Sequence, residues 1–176
     1  FTSIGERLTP GALVGLINAY LTEMSEPIRA ESGVIDKFIG DAIMAYWGPP
    51  FVAPDEQAAR ACRAALASLD RLAEFRERVP EIVGLRRDAP EIDIRIGIAT
   101  GPMVVGNVGS DVLKNYTLMG DSVNLGSRLE GACKAYGLRI LIAEEPRNLA
   151  GDAIETREID ALAAKGKSEP VRVFEP

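Results

Sequence analysis

The chain has 176 residues, 47% of them hydrophobic and 26% charged, which suits one globular domain with a core of ordinary size. A formal net charge of −6 argues against a surface built for nucleic acid or anionic lipid, and the complete lack of histidine removes His-based triads and His-containing zinc sites. No apolar run approaches the roughly 20 residues that a bilayer span needs, so the chain reads as soluble and cytoplasmic, with Cys62 and Cys133 as buried thiols in a reducing compartment. Phe1 is not an initiator Met, and the chain reads as a fragment of a longer protein.

Thr9-Pro10 is an N-cap followed by proline at the first helical position, and Leu13, Leu16, Ile17, Tyr20, Leu21, Met24 and Ile28 then recur at helical spacing toward Gly33. Pro27 predicts a kink in that helix. Val34 to Phe38 and Ala42 to Trp47 predict a short hairpin around Ile39-Gly40-Asp41. A second, Ala-rich helix opens at Asp55 and runs to about Arg78, followed by a connecting loop from Pro80 to Pro90. Ile92, Ile94, Ile96 and Ile98 alternate with Asp93, Arg95, Gly97 and Ala99, a strand that buries one face and turns Arg95 to the other. Gly101-Pro102 predicts a second hairpin, returning this strand into Met103 to Val108. A strand near Tyr116 leads to a helix from about Ser122 to Tyr136, ended by Gly137. Strands at Ile140 to Ala143, Ile154 to Ile159 and Val171 to Phe174 complete an α+β sandwich, one sheet carrying helices on one face.

The segment after Tyr116 carries the clearest chemistry. Asn124 and Arg128 lie one helical turn apart on one face, so an amide and a guanidinium can address the same ligand. The Arg fork suits a phosphate or carboxylate, and the amide suits a hydroxyl or ring oxygen. The alternative pairs Arg128 with Glu130 or another nearby acid as an ordinary surface contact, with Asn124 capping a neighbouring loop. Lys37 and Asp41 flank the first hairpin turn; alone they read as solvated charges, although Asp41 stands at a sheet rim where a metal could be held. Ala164-Lys165-Gly166-Lys167-Ser168 reads as an exposed loop whose lysines can reach phosphate as mobile point charges.

In order along the chain, Phe1-Thr2-Ser3, Lys37-Phe38-Ile39-Gly40-Asp41, Arg95-Ile96-Gly97-Ile98, Gly106-Asn107-Val108-Gly109, Tyr116 to Leu129 and Lys165-Gly166-Lys167 resemble the successive blocks of the class III nucleotidyl cyclase catalytic domain, in its bacterial, Lys/Thr purine-reading subgroup. The resemblance covers residues 1–176 as one catalytic domain. It implies a ferredoxin-like βαββαβ core, antiparallel-rich and missing its N-terminal strand here, which forms a homodimer with two active sites shared between protomers. There ATP is cyclised to cAMP and pyrophosphate with two divalent cations, Mg²⁺ or Mn²⁺. Residue by residue, Asp41 matches a metal-binding aspartate, Lys37 and Thr117 the purine-reading pair, Asn124 the ribose contact and Arg128 the group that stabilises the reacting phosphate. Arg95, Lys165 and the turn at Phe1-Thr2 match polyphosphate contacts. The family's first metal aspartate falls four residues before Phe1. One protomer is expected to supply Asp41 and Arg95, and its partner Lys37, Thr117, Asn124, Arg128 and Lys165.

Base preference also follows from hydrogen-bond chemistry. Adenine offers an acceptor at N1 and a donor at N6, matching a lysine donor and a threonine oxygen, whereas guanine sets N1–H against the lysine. A guanylate cyclase is therefore disfavoured by Lys37. A diguanylate cyclase would need a Gly-Gly-acid-acid-Phe turn where this chain has Phe38-Ile39-Gly40-Asp41. A silent nucleotide-sensing module would be favoured by loss of Asn124, Arg128 or Asp41, all of which are present.

Overall fold

The computed structural model describes residue 4 and residues 8–85, 89–163 and 170–176. Phe1, Thr2 and Lys165 lie outside them. Helix α1 (Pro10–Ala30) starts where the sequence predicts: the Thr9 side chain accepts from the Ala12 N–H at 3.3 Å, and Pro10 takes the first position, where a missing N–H costs nothing. The chain stays helical through Pro27, which is buried. Helix α2 (Gln57–Ile82) extends past the predicted end and through Pro80. Val79 and Val83 are the physical reason, since both are buried in the cluster formed with Leu16, Tyr20 and Met24 of α1 and Leu72 and Phe75 of α2. Each such side chain contributes about 1.5–3 kcal/mol on burial, enough to hold a last turn that local propensity would release.

The β-structure is an antiparallel-rich mixture. Strands β1 (Val34–Ile39) and β2 (Ala42–Tyr46) form the predicted hairpin, closed by Gly40 at φ +63° and Asp41. The remaining strands are β3 (Ile96–Ile98), β4 (Val104–Gly109), β5 (Lys114–Met119), β6 (Ile140–Ala143), β7 (Arg157–Leu162) and β8 (Val171–Glu175). Among the described residues they form a four-stranded sheet in the order β3-β6-β8-β7 and a separate β4-β5 hairpin. Strand β3 is parallel to β6, and the other pairs are antiparallel.

Three sequence expectations are corrected here. The hairpin expected at Gly101-Pro102 does not form, because β4 pairs with β5 while β3 runs beside β6. Ile96 and Ile98 pack against the cluster of Cys62, Ala65, Ile140, Ile142 and Phe174, so β3 belongs to the core sheet and the chain leaves it afterwards. The strand begins at Ile96 and not at Ile92, although Ile92 and Ile94 are buried and Asp93 and Arg95 exposed, as their alternation predicts. The strand expected at Ile154 lies at Arg157–Leu162, displaced by a short helix α4 (Glu144–Ala150), which opens with Glu144 and Glu145 in its first turn.

Helix α3 (Asp121–Tyr136) ends as predicted, with Gly137 in the left-handed region at φ +66°. It crosses β3 at Gly97, where an added Cβ would lie 2.0 Å from the Gly126 carbonyl oxygen and 2.4 Å from the Glu130 backbone nitrogen. Leu125, Leu129 and Cys133 fill the interface with β6 and β8 on either side of that crossing. Among the described residues, no helix is long and apolar enough to cross a membrane.

The obstruction at Gly97 is backbone on both sides, so Gly97→Ala must push α3 off the sheet. The expected loss is about 1–3 kcal/mol, read as a lower urea midpoint at unchanged m-value. An unaltered midpoint would contradict the close crossing.

Candidate active site

The crossing at Gly97 decides which way α3 presents its side chains. Residues 126, 129 and 130 of the helix meet the strand, leaving Asn124 and Arg128 exposed together on another face, one turn apart as predicted. Glu130 lies about 200° around the helix from Arg128. It accepts from Arg95 Nε at 3.0 Å, so the acid suggested as a surface partner of Arg128 is engaged by Arg95. Arg95 and the Asn124/Arg128 pair therefore occupy different flanks of one helix. Beside Arg95 runs an open groove of about 580 Å³ lined by Asp93, Lys134, Arg139 and Glu175 among others, where Arg139 pairs with Asp93 at 3.0 Å. That groove does not touch Lys37, Thr117, Asn124 or Arg128.

The hairpin β1-β2 and strand β5 bring Lys37 and Thr117 together, and the group that joins them is Asp36. Thr117 Oγ1 donates to Asp36 Oδ2 at 2.8 Å, and Lys37 Nζ stands 3.4 Å from the same oxygen. The Asp36 side chain is only 3% exposed. Strand alternation would send residues 36 and 37 to opposite faces. The register explains why both reach one place: Ile35 faces Ala45 and Lys37 faces Met44, which leaves Asp36 as the extra residue of a β-bulge. Thr117 lies opposite Gly106, where no cross-strand side chain competes for the space. Asp36 was not singled out from the sequence. The signal was available, because Val34-Ile35-Asp36-Lys37-Phe38-Ile39 reads apolar, charged, apolar in pairs and so breaks the two-residue period of a regular strand.

Asp41 is exposed at the β1-β2 turn, at the rim where the sequence puts it. Its carboxylate acts on Tyr20 of α1: burial first, and then the Asp41 charge, push the Tyr20 hydroxyl up to about 12. Burial likewise pushes the Cys62 thiol up to about 11, consistent with two free, buried cysteines that take no part in chemistry. Among the described residues no three His, Cys, Asp or Glu side chains converge on a point that could hold a metal ion. Asp41 thus offers one hard oxygen ligand of the kind Mg²⁺ or Mn²⁺ takes, short of the full set such an ion needs.

The sequence profile of the adenylate and guanylate cyclase catalytic domain matches residues 1–174. The chain belongs to that family. Among curated relatives it is 38% identical to adenylate cyclase 1 of Rhizobium meliloti and 36% identical to adenylate cyclase of Anabaena cylindrica, over 99% of this chain in each case. It spans 25% and 34% of the length of those two relatives. Among solved structures it superposes on the adenylyl cyclase CyaB from P. aeruginosa with a TM-score of 0.86 at 35% identity, covering 98% of this chain and 86% of that one. The guanylyl cyclase Cya2 matches with a TM-score of 0.81 at 32% identity, over 99% of this chain and 84% of that one. The mixed α+β fold expected from the sequence is the fold of these cyclase domains.

Tyr20 gives a test of the packing beneath the β1-β2 hairpin. Its raised folded value means that the unfolded chain loses the Tyr20 proton first, from about pH 10, while the folded chain keeps it to about 12. Stability from this group is therefore complete below pH 10 and is lost as pH rises to about 12. Urea midpoints should fall more steeply between pH 9 and 11.5 for the parent chain than for Tyr20→Phe; parallel declines would contradict the burial of this hydroxyl.

Proposed function

We propose that residues 1–176 are the catalytic domain of a longer, cytoplasmic adenylate cyclase, which cyclises ATP to 3′,5′-cAMP and pyrophosphate in sites shared across a homodimer. The observation that carries the reading is the meeting of Lys37 and Thr117, far apart in sequence, at the buried Asp36 carboxylate. A lysine donor and a threonine acceptor side by side match the N1 and N6 edge of adenine. The adenylate cyclase relatives at 36–38% identity support the same base choice.

The other roles follow from residue chemistry. Asn124 orients the ribose, Arg128 places fixed positive charge where charge develops on the reacting phosphorus, and Arg95 and Lys165 hold the polyphosphate, with the turn at Phe1-Thr2 cradling it. Asp41 would hold divalent cations, Mg²⁺ or Mn²⁺, together with ligands from outside the described residues; such ions activate the 3′-hydroxyl and neutralise the leaving pyrophosphate.

Two features support sharing between protomers. Arg95 and the Asn124/Arg128 pair sit on different flanks of α3, so one nucleotide cannot readily use both from the same chain. The β4-β5 hairpin also carries an apolar surface suited to a second copy, with Val104 69%, Val112 96%, Leu113 68% and Tyr116 65% exposed.

Two experiments on the parent protein test this reading. Lys37→Glu with Thr117→Cys should shift preference from ATP toward GTP by about tenfold or more in kcat/KM; unchanged selectivity removes the base assignment. Asp41→Ala and Arg128→Ala should each lower cAMP production by about a hundredfold or more. Mixed in equal amounts they should recover about a quarter of parent activity, since half of the random dimers are mixed and each of those keeps one intact site. No recovery on mixing argues for sites within single chains.

A further inference from the structure

We propose that Asp36 is a positioning residue that sets base specificity by consuming the Thr117 proton, so that Thr117 can face the base only as an acceptor. The inference rests on the purine-reading role of Lys37 and Thr117 and adds what makes that role selective.

A threonine hydroxyl carries one donor and two acceptor lone pairs, and its hydrogen rotates to suit its neighbour. Left alone, Thr117 would accept from the amino group of adenine or donate to the oxygen of guanine with equal ease. It is not left alone. Its hydrogen points at Asp36 Oδ2 across 2.8 Å, in a place where Thr117 is 8% exposed and the Asp36 side chain 3% exposed. Water has little access to either group, so nothing but this carboxylate readily takes that hydrogen. Hydrogen bonds to an ionised acceptor are roughly twice as strong as neutral ones, and breaking this one to serve a guanine oxygen would leave a buried carboxylate short of a donor.

The same oxygen holds Lys37 Nζ at 3.4 Å. One carboxylate thereby fixes a donor and an acceptor next to each other, in the order that adenine N1 and N6 require. The bulge makes this possible, since a regular strand would turn Asp36 away from the face that carries Lys37.

The test compares kcat/KM for ATP and GTP in the parent protein, because their ratio is independent of how much of a preparation is folded. Asp36→Asn can turn its amide to donate to Thr117 Oγ1, which frees the threonine hydrogen to point outward; the ATP:GTP ratio should fall by about tenfold or more. Asp36→Val removes the acceptor with a residue strands favour, and the same fall is expected should the asparagine chain not fold. In a Thr117→Val background, Asp36→Asn should move the ratio by much less than it does in the parent, since no hydroxyl remains to direct and only the hold on Lys37 is lost. A ratio unchanged by both Asp36 variants while Thr117→Val alone moves it overturns the inference and leaves the purine-reading pair standing. An equal fall in the Thr117→Val background overturns it too, because Asp36 would then act by another route. Should neither Thr117→Val nor Lys37→Glu move the ratio, the purine-reading assignment itself is wrong and the inference falls with it.

Discussion

The contact between Gly97 and the backbone of α3 is the constraint on which the arrangement of the site depends. A strand and a helix approach so closely there that no side chain fits between them, and the helix is held both in height and in rotation. Rotation is what matters for chemistry. With residues 126, 129 and 130 against the strand, Asn124 and Arg128 are directed to one flank and Glu130 to the other, where it engages Arg95. A helix free to roll by one residue, about 100°, would carry the amide and guanidinium together away from that flank. The apolar contacts of Leu125, Leu129 and Cys133 supply the attraction that seats the helix, while the missing Cβ at 97 supplies the precision.

A second constraint acts at the β1-β2 hairpin, and it is polar. Burying a carboxylate is costly unless its lone pairs are met, and Asp36 is met by a hydroxyl from β5 and an ammonium from its own strand. This bond ties the hairpin to β5, two elements that no backbone ladder joins among the described residues. The polar contact thus has a structural consequence as well as a chemical one: it places the Lys37 strand beside Thr117, and loss of either partner would leave a buried group unsatisfied.

Much of this was legible in the sequence wherever a local rule coincided with the tertiary demand. The cap at Thr9-Pro10, the hairpin at Gly40-Asp41, the stop at Gly137 and the face shared by Asn124 and Arg128 all follow from short-range chemistry, and the chain obeys it. What was not legible depends on partners distant in sequence. Gly101-Pro102 has every local mark of a hairpin, yet Ile96 and Ile98 gain more by joining the core beside β6 than by pairing with β4. Pro80 should end a helix, yet Val79 and Val83 keep it wound. Asp36 escaped for a different reason: a bulge moves one residue out of period, and its meaning appears only when the hydroxyl it serves, on another strand, is in place.

The placement of Asp36, Lys37 and Asp41 on a single hairpin couples two tasks. On the proposed reading, the base is read at the bulge while the cation side begins at the turn, four residues further on, and the two ends face different sites of the dimer. The hairpin is tied to β5 at Asp36, and Ile43 of its second strand packs against the cluster that holds Tyr20. On that reading each hairpin, through residues Asp36 to Asp41, would serve two sites of a dimer.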